Sequence, residues 1–312
     1  MLQTPNNDGV WGDTEFRFDD DSTTQCDWWV VIEDPLERQS AICPANATVL
    51  VISEPEDVRR YPPPYIDQFA HVMTCQEYIS HRQKHSCPAA GPWHLRGMSY
   101  SDLQSSPTKT RSLSVIASNK AFIPGHRARL DFVSRLRTDL ADGIDIFGRG
   151  INELENKWDG LAPYKFSIAI ENAVGKDYWT EKLADCFLAE TLPIYFGCPN
   201  IADYFPPESY ISIDIAKPDE AIQVIQNVVN DGTFDVRLAA IREAKQLVLN
   251  RYQTFPLIAN YLSSQYRGPL GKGIKHTIRP ISYWDSRTIP ARVRTRLALV
   301  GQSLGLVPKC RY

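Results

Sequence analysis

Short, uninterrupted apolar runs that stop abruptly at acids, prolines or glycine constrain this chain more than any other feature. Trp28–Ile32 and Thr48–Ile52 show no alternation of polar and apolar positions. A strand of that kind belongs in a parallel sheet covered on both faces, because a sheet with one wet face reads as alternating. Phe69–Thr74 is a third such run, and Arg59–Tyr65 before it carries Pro62, Pro63 and Pro64, which argue against helix there. Leu113–Ala117, Gly143–Gly148, Tyr164–Ile170, Leu192–Phe196 and Ile211–Ile213 extend the strand pattern.

Helical spacing separates the later runs. Leu130, Val133, Leu136 and Leu140 share a face of Arg129–Leu140, and Leu183, Phe187 and Leu188 share one in Thr180–Glu190. Pro218–Val229 and Val236–Leu249 read as two more helices. Tyr164 to Phe196 is therefore a βαβ unit with a right-handed crossover. At 312 residues the chain exceeds the roughly 250–300 residues at which one core usually splits. Two α/β domains are expected, 1–110 and 111–265, with the boundary in the polar stretch Ser105–Arg111 and a basic extension over 266–312.

Charge and composition limit the function classes. A net charge of −3 argues against a nucleic-acid binder, which normally carries a strong basic excess. Leu270–Tyr312 holds nine Lys or Arg against one acid, a net +8 that leaves −11 on the remainder. Such a tail suits the surface of an anionic membrane, and equally suits packing back onto the acidic remainder. No run approaches the ~18 apolar residues of a membrane span, and the first residues lack the basic and apolar regions of a signal peptide, so a cytoplasmic location is expected. Seven cysteines without CxxC pairing suggest reduced thiols. Asp19-Asp20-Asp21 has the D-x-D spacing of a metal–diphosphate site, but no apolar period anchors it. It reads as a solvated loop, and no metal site is expected. His81, His85, His94 and Cys87 fit no common zinc spacing, and Gly268–Gly273 lacks the hydroxyl residue and preceding strand of a phosphate loop.

The chemistry concentrates between a strand and a helix, in Ile170–Lys182. Ligands of open α/β sheets bind beyond the carboxyl ends of the strands. Thr180 is placed to cap the helix, with Glu181 and Lys182 in its first turn, where backbone N–H groups favour an anion. Glu171-Asn172, Tyr178, then Thr180-Glu181-Lys182, followed by Leu192–Gly197 (LPIYFG) and Phe205–Ile213 (FPPESYISI), resembles the α1,3/α1,4-fucosyltransferase family, inverting glycosyltransferase family 10. The resemblance reaches upstream through Ser118-Asn119, Arg127–Leu130 and Ile144–Gly150.

That resemblance implies a GT-B fold, two Rossmann-like domains facing across a cleft, and transfer of fucose from GDP-fucose to a carbohydrate hydroxyl with an α linkage, without a cofactor. It implies that Asn172 and Tyr178 contact the diphosphate, Glu181 the ribose hydroxyls and Lys182 the phosphates. Arg129 fits the phosphate-binding arginine, with Arg127 the alternative two residues away. A cation pair could replace a metal ion at the departing diphosphate, each charge-assisted contact contributing roughly 1.5–3 kcal/mol. The general base should come from the first domain, and Phe69–Glu77 resembles the family strand that ends at it. Glu77 is that candidate, and Glu54 is the alternative. Two other readings stay open: transfer of another GDP-sugar, and a non-catalytic binder of nucleotide sugars.

Overall fold

The computed structural model describes residues 2–18, 25–89, 91–265 and 271–288. Asp19-Asp20-Asp21 lies outside them. A short antiparallel hairpin, β1 (Val10–Trp11) and β2 (Thr14–Glu15), precedes β3 (Trp29–Ile32) and β4 (Gln39–Cys43). After β5 (Thr48–Ile52) come a one-turn helix α1 (Pro63–Ile66), β6 (His71–Thr74) and β7 (Lys84–Ser86). Four of these strands form an all-parallel sheet in the order β3-β5-β6-β7.

The two-faced burial of β5 explains its sequence. Val49 and Val51 point into a layer with Met73 and Cys87, while Leu50 and Ile52 meet Val31, Val72, Tyr61 and Tyr65 on the other side. Each fully buried aliphatic side chain contributes about 1.5–3 kcal/mol, so polar substitution on either face is costly. Helix α1 corrects the expectation from the prolines. Pro63 and Pro64 occupy the first turn, where a missing N–H costs nothing, and Tyr65 closes the turn through its N–H on the Pro62 carbonyl at 2.9 Å.

The second unit runs β8 (Arg111–Ile116), α2 (Pro124–Leu140), β9 (Asp145–Phe147), β10 (Tyr164–Ile170), α3 (Glu181–Leu188), β11 (Leu192–Phe196), β12 (Ile211–Ser212), α4 (Pro218–Asn230) and α5 (Thr233–Leu247). Its sheet is also all parallel, in the order β12-β11-β10-β8-β9, with β10 flanked by β8 and β11. The expected βαβ unit is β10-α3-β11.

The chain then returns to the first sheet. Helix α6 (Thr254–Gln265) falls inside the 111–265 stretch, yet it buries Ile258, Tyr261 and Leu262 against Val49, Val51 and Met73. Strand β13 (Ile274–Ile278) pairs antiparallel with β4, and α7 (Ile281–Thr288) places Ile281 beside Tyr61 and Tyr65. The Ile281 N–H donates to Asp34 Oδ1 at 2.9 Å. The described part of the basic extension is thus built into the first unit. The remaining tail cations, including Arg292, Arg294 and Arg296, lie outside the described residues, and so does the membrane contact expected of them.

The carboxyl ends of the two sheets face each other. Cys75, just past β6, feels the charge of Asp177, and Tyr178, in the loop after β10, feels that of Glu54, just past β5. Two parallel α/β units meeting across a cleft is the expected GT-B arrangement. Among the described residues no helix is long and apolar enough to cross a membrane.

Candidate active site

Strand β10 is buried along nearly its whole length and delivers Glu171 to the cleft with 1% of its surface exposed. A buried carboxylate persists only if paired and hydrogen-bonded. Glu171 Oε1 accepts the Thr180 N–H at 2.8 Å and Oε2 the Thr180 hydroxyl at 2.8 Å, while Lys182 Nζ lies 3.3 Å from Oε2. Burial raises the Glu171 pKa, with the Lys182 charge and the Thr180 bonds opposing it. Gly197 leaves the space this requires, since a Cβ there would sit 2.5 Å from Glu171 Cγ and 2.6 Å from the Tyr195 hydroxyl.

Thr180 caps α3 as expected, its Oγ1 accepting the Lys182 N–H at 3.3 Å. The Lys182 ammonium also donates to Thr180 Oγ1 at 3.0 Å and lies 3.3 Å from Glu181 Oε1. Burial alone would lower its pKa, but Glu171 and Glu181 outweigh that and raise it, so Lys182 is a cation. Burial would likewise raise Glu181, yet Lys182, Lys157 and His94 together hold its carboxyl well below the usual range. Lys157 braces the helix from below, donating to the fully buried Asp185 Oδ2 at 2.7 Å and to the Glu181 carbonyl at 3.3 Å.

Helix α2 supplies the second cation. His126, Arg129, Phe132, Val133 and Leu136 form its buried face. Arg129 is 4% exposed, with Nη1 donating to Asn172 Oδ1 and Nη2 to the Ser118 hydroxyl at 3.2 Å and carbonyl at 3.3 Å. Its buried Nε has no hydrogen-bond partner among the described residues. Burial lowers the Arg129 pKa while Glu171, Glu181 and Tyr178 pull it up. His126 is lowered by burial and then by Arg129, Lys120 and Lys182, and its buried Nδ1 is unpartnered too. The start of α2 presses on the same loop: a Cβ on Gly125 would meet the Asn172 carbonyl oxygen at 1.8 Å. The positive ends of α2 and α3 therefore converge on one place, lined by two cations with a free N–H donor.

Glu54 faces this place from the first unit. It is exposed, and partial burial, followed by the Glu33 charge, raises its pKa while Lys182 pulls it down. Glu77 does not join the cluster. It is exposed, its carboxylate makes no hydrogen bond or ion pair among the described residues, and its backbone carbonyl accepts from Lys84 Nζ at 3.2 Å. The reason is a turn: the chain bends away after β6 once Gln76 tucks inward, its Nε2 donating to the Glu54 carbonyl at 2.7 Å.

The structure thus gathers Arg129, Asn172, Tyr178, Glu181, Lys182 and Glu54. Arg127 stays apart, exposed on the outer face of α2 with Nε on the Ala121 carbonyl at 3.4 Å. Glu171, Lys157, His126 and Glu33 were not singled out as site residues. Glu171 had a signal, because an acid closing the apolar run Ile168-Ala169-Ile170 must find a partner. The others come from separate segments and had none.

Residues 106–244 match the model of the glycosyltransferase family 10 (fucosyltransferase) C-terminal domain. The chain is 35% identical over 124 residues to the alpha-(1,3)-fucosyltransferase FucT of Helicobacter pylori, covering 39% of this chain and 26% of that protein. It is 30% identical over 128 residues to the human 4-galactosyl-N-acetylglucosaminide 3-alpha-L-fucosyltransferase 9, covering 39% of this chain and 34% of that protein. The matched stretch spans about a quarter to a third of these relatives. A crystal structure of an alpha1,3-fucosyltransferase with GDP-fucose is similar over 78% of this chain and 80% of its own, at 22% identity and a TM-score of 0.49. The resemblance carried by Glu171–Lys182 and Leu192–Gly197 is borne out over residues 106–244, the stretch that matches the glycosyltransferase family 10 (fucosyltransferase) C-terminal domain.

Proposed function

We propose that the chain is an inverting, metal-independent fucosyltransferase that moves fucose from GDP-fucose to a hydroxyl of a carbohydrate acceptor. The observation that carries the reading is the paired cations Arg129 and Lys182 at the convergence of two helix N-termini, with the buried Arg129 Nε unpartnered. The family of residues 106–244 supports the choice of sugar.

The donor diphosphate lies between Arg129 and Lys182, with Asn172 and Tyr178 at its oxygens and Glu181 at the ribose hydroxyls. The acceptor oxygen attacks the anomeric carbon from the face opposite GDP. As the new C–O bond forms, the bond to the β-phosphate oxygen breaks and its electron pair leaves with GDP. The hydroxyl proton passes to a carboxylate of the first unit. Glu54 fits that role better than Glu77, because its raised pKa and its place opposite Lys182 suit a base poised across the cleft. Lys182 and Arg129 stabilise the charge developing on GDP without reorganising, which is where preorganised electrostatics contribute most.

The test is donor turnover with GDP-fucose and with GDP-mannose, across a panel of glycan acceptors, in excess EDTA. Preferential use of GDP-fucose that persists in EDTA is expected. Loss of activity that Mg²⁺ or Mn²⁺ restores would require a metal at the diphosphate. Tight binding of GDP-fucose with no GDP released would make the chain a nucleotide-sugar binder.

A further inference from the structure

Glu33 ends β3 in the left-handed region, at φ +65°, which residues with a side chain rarely adopt. Such conformations persist where surrounding contacts over-determine them, and they cluster at functional sites. Here every polar group of Glu33 is engaged. Its N–H donates to the Val51 carbonyl at 2.8 Å, and its carbonyl accepts from the Tyr65 hydroxyl at 2.7 Å. Carboxylate Oε1 accepts two successive backbone N–H groups, Ser53 at 2.6 Å and Glu54 at 3.1 Å, and Oε2 accepts the Tyr61 hydroxyl. Gln76 Nε2 holds the same residue from its other side, through the Glu54 carbonyl at 2.7 Å.

We propose that Glu33 is the positioning residue that fixes Glu54 for proton abstraction. The proposal rests on the reading of Glu54 as the base. A carboxylate just past β3 is a costly way to satisfy two loop N–H groups, since it sets a negative charge beside another acid. That cost has a use if the acid is to be a base, because a neighbouring negative charge raises its proton affinity. The groups facing Glu54 are Glu33 on its own unit and Lys182, Glu181, Lys120 and Tyr178 across the cleft. Those facing Glu33 are Glu54, Tyr61, Tyr65 and Cys75, with the Asp34–Arg59 pair beside Tyr65.

The two functions of Glu33 separate by substitution. Glu33→Gln keeps an oxygen that can accept both N–H groups but removes the charge, so the acid limb of the kcat/KM profile should move to lower pH. Glu33→Ala removes the anchor as well, and a base displaced by about 1 Å loses on the order of 100-fold in kcat while KM for GDP-fucose stays put. Glu54→Gln should bind GDP and not transfer. Normal transfer by Glu54→Gln removes the underlying reading, and the Glu33 proposal with it. Loss of transfer in Glu54→Gln with an unmoved acid limb in Glu33→Gln overturns the Glu33 proposal alone. Should Glu33→Ala fail to fold by circular dichroism, the pH profile of Glu33→Gln decides.

Discussion

Lys182 is held on one side by Glu171 and Thr180 and on the other by Glu181, so its ammonium is fixed in place by the chain's own contacts. Removing one preorganised stabiliser of this kind typically costs about 100-fold or more in turnover, the loss expected for Lys182→Ala. A folded Lys182→Ala protein with normal turnover would take Lys182 out of the site. The two candidate bases are separated by the same assay. Glu54→Gln should abolish transfer while GDP binding, read by calorimetry, survives, and Glu77→Gln should transfer normally because its carboxylate is exposed and pairs with neither Lys182 nor Arg129. The reverse result would return the role to Glu77. Since the Glu54 pKa is raised, its deprotonated, active form is lost as pH falls through that raised value, so the acid limb should lie above the ordinary carboxylate range.

At the scale of elements, the loop from β10 to α3 works as a unit held from behind by β11. Gly197, immediately after β11, packs on both the Glu171 side chain and the Tyr195 hydroxyl, which are themselves nearly inaccessible. Gly197→Ala should therefore displace Glu171. Overpacking of this sort costs about 1–3 kcal/mol of stability, and the Thr180 and Lys182 contacts that depend on Glu171 should carry a larger loss into turnover. Thermal melts and kcat on one preparation check this. A lowered melting temperature with unchanged kcat would show that Glu171 serves only the fold. The proline segment teaches a related point about elements. Pro62, Pro63 and Pro64 forbid a long helix, yet they form the first turn of α1 and set Tyr61 and Tyr65 beneath Glu33.

At the scale of the molecule, the last described segments pack back onto the first unit. Ile278 and Ile281 are buried with Tyr61 and Tyr65, and burial of each contributes about 1.5–3 kcal/mol. Deleting residues 270–312 should lower the melting temperature of the first unit and weaken transfer more than GDP binding. From charge alone the tail suits an anionic membrane and packing onto the acidic remainder equally. An unchanged melt after truncation would count against the packing of β13 and α7 as a support of the first unit.

The sequence by itself determined the two parallel sheets, through runs with no polar face, and the residues proposed to hold the donor. Thr180, Glu181 and Lys182 are neighbours on one helix start, and Asn172 and Tyr178 lie on the loop that leads into it, so local periodicity was enough to gather them. It also separated Arg129 from Arg127 only as far as helical spacing allows, and burial of the Phe132, Val133 and Leu136 face decided between them. Only the tertiary structure decided the acceptor side. Glu54 and Glu77 each follow a buried strand, and nothing within either segment says which carboxylate meets the cations. That choice depends on how the chain turns after β6 and on where the second sheet stands, both set by contacts between residues far apart in sequence. The same holds for α6 and β13, whose apolar positions are legible but whose partner sheet is not, because an apolar stripe states that a face must be buried and not against what.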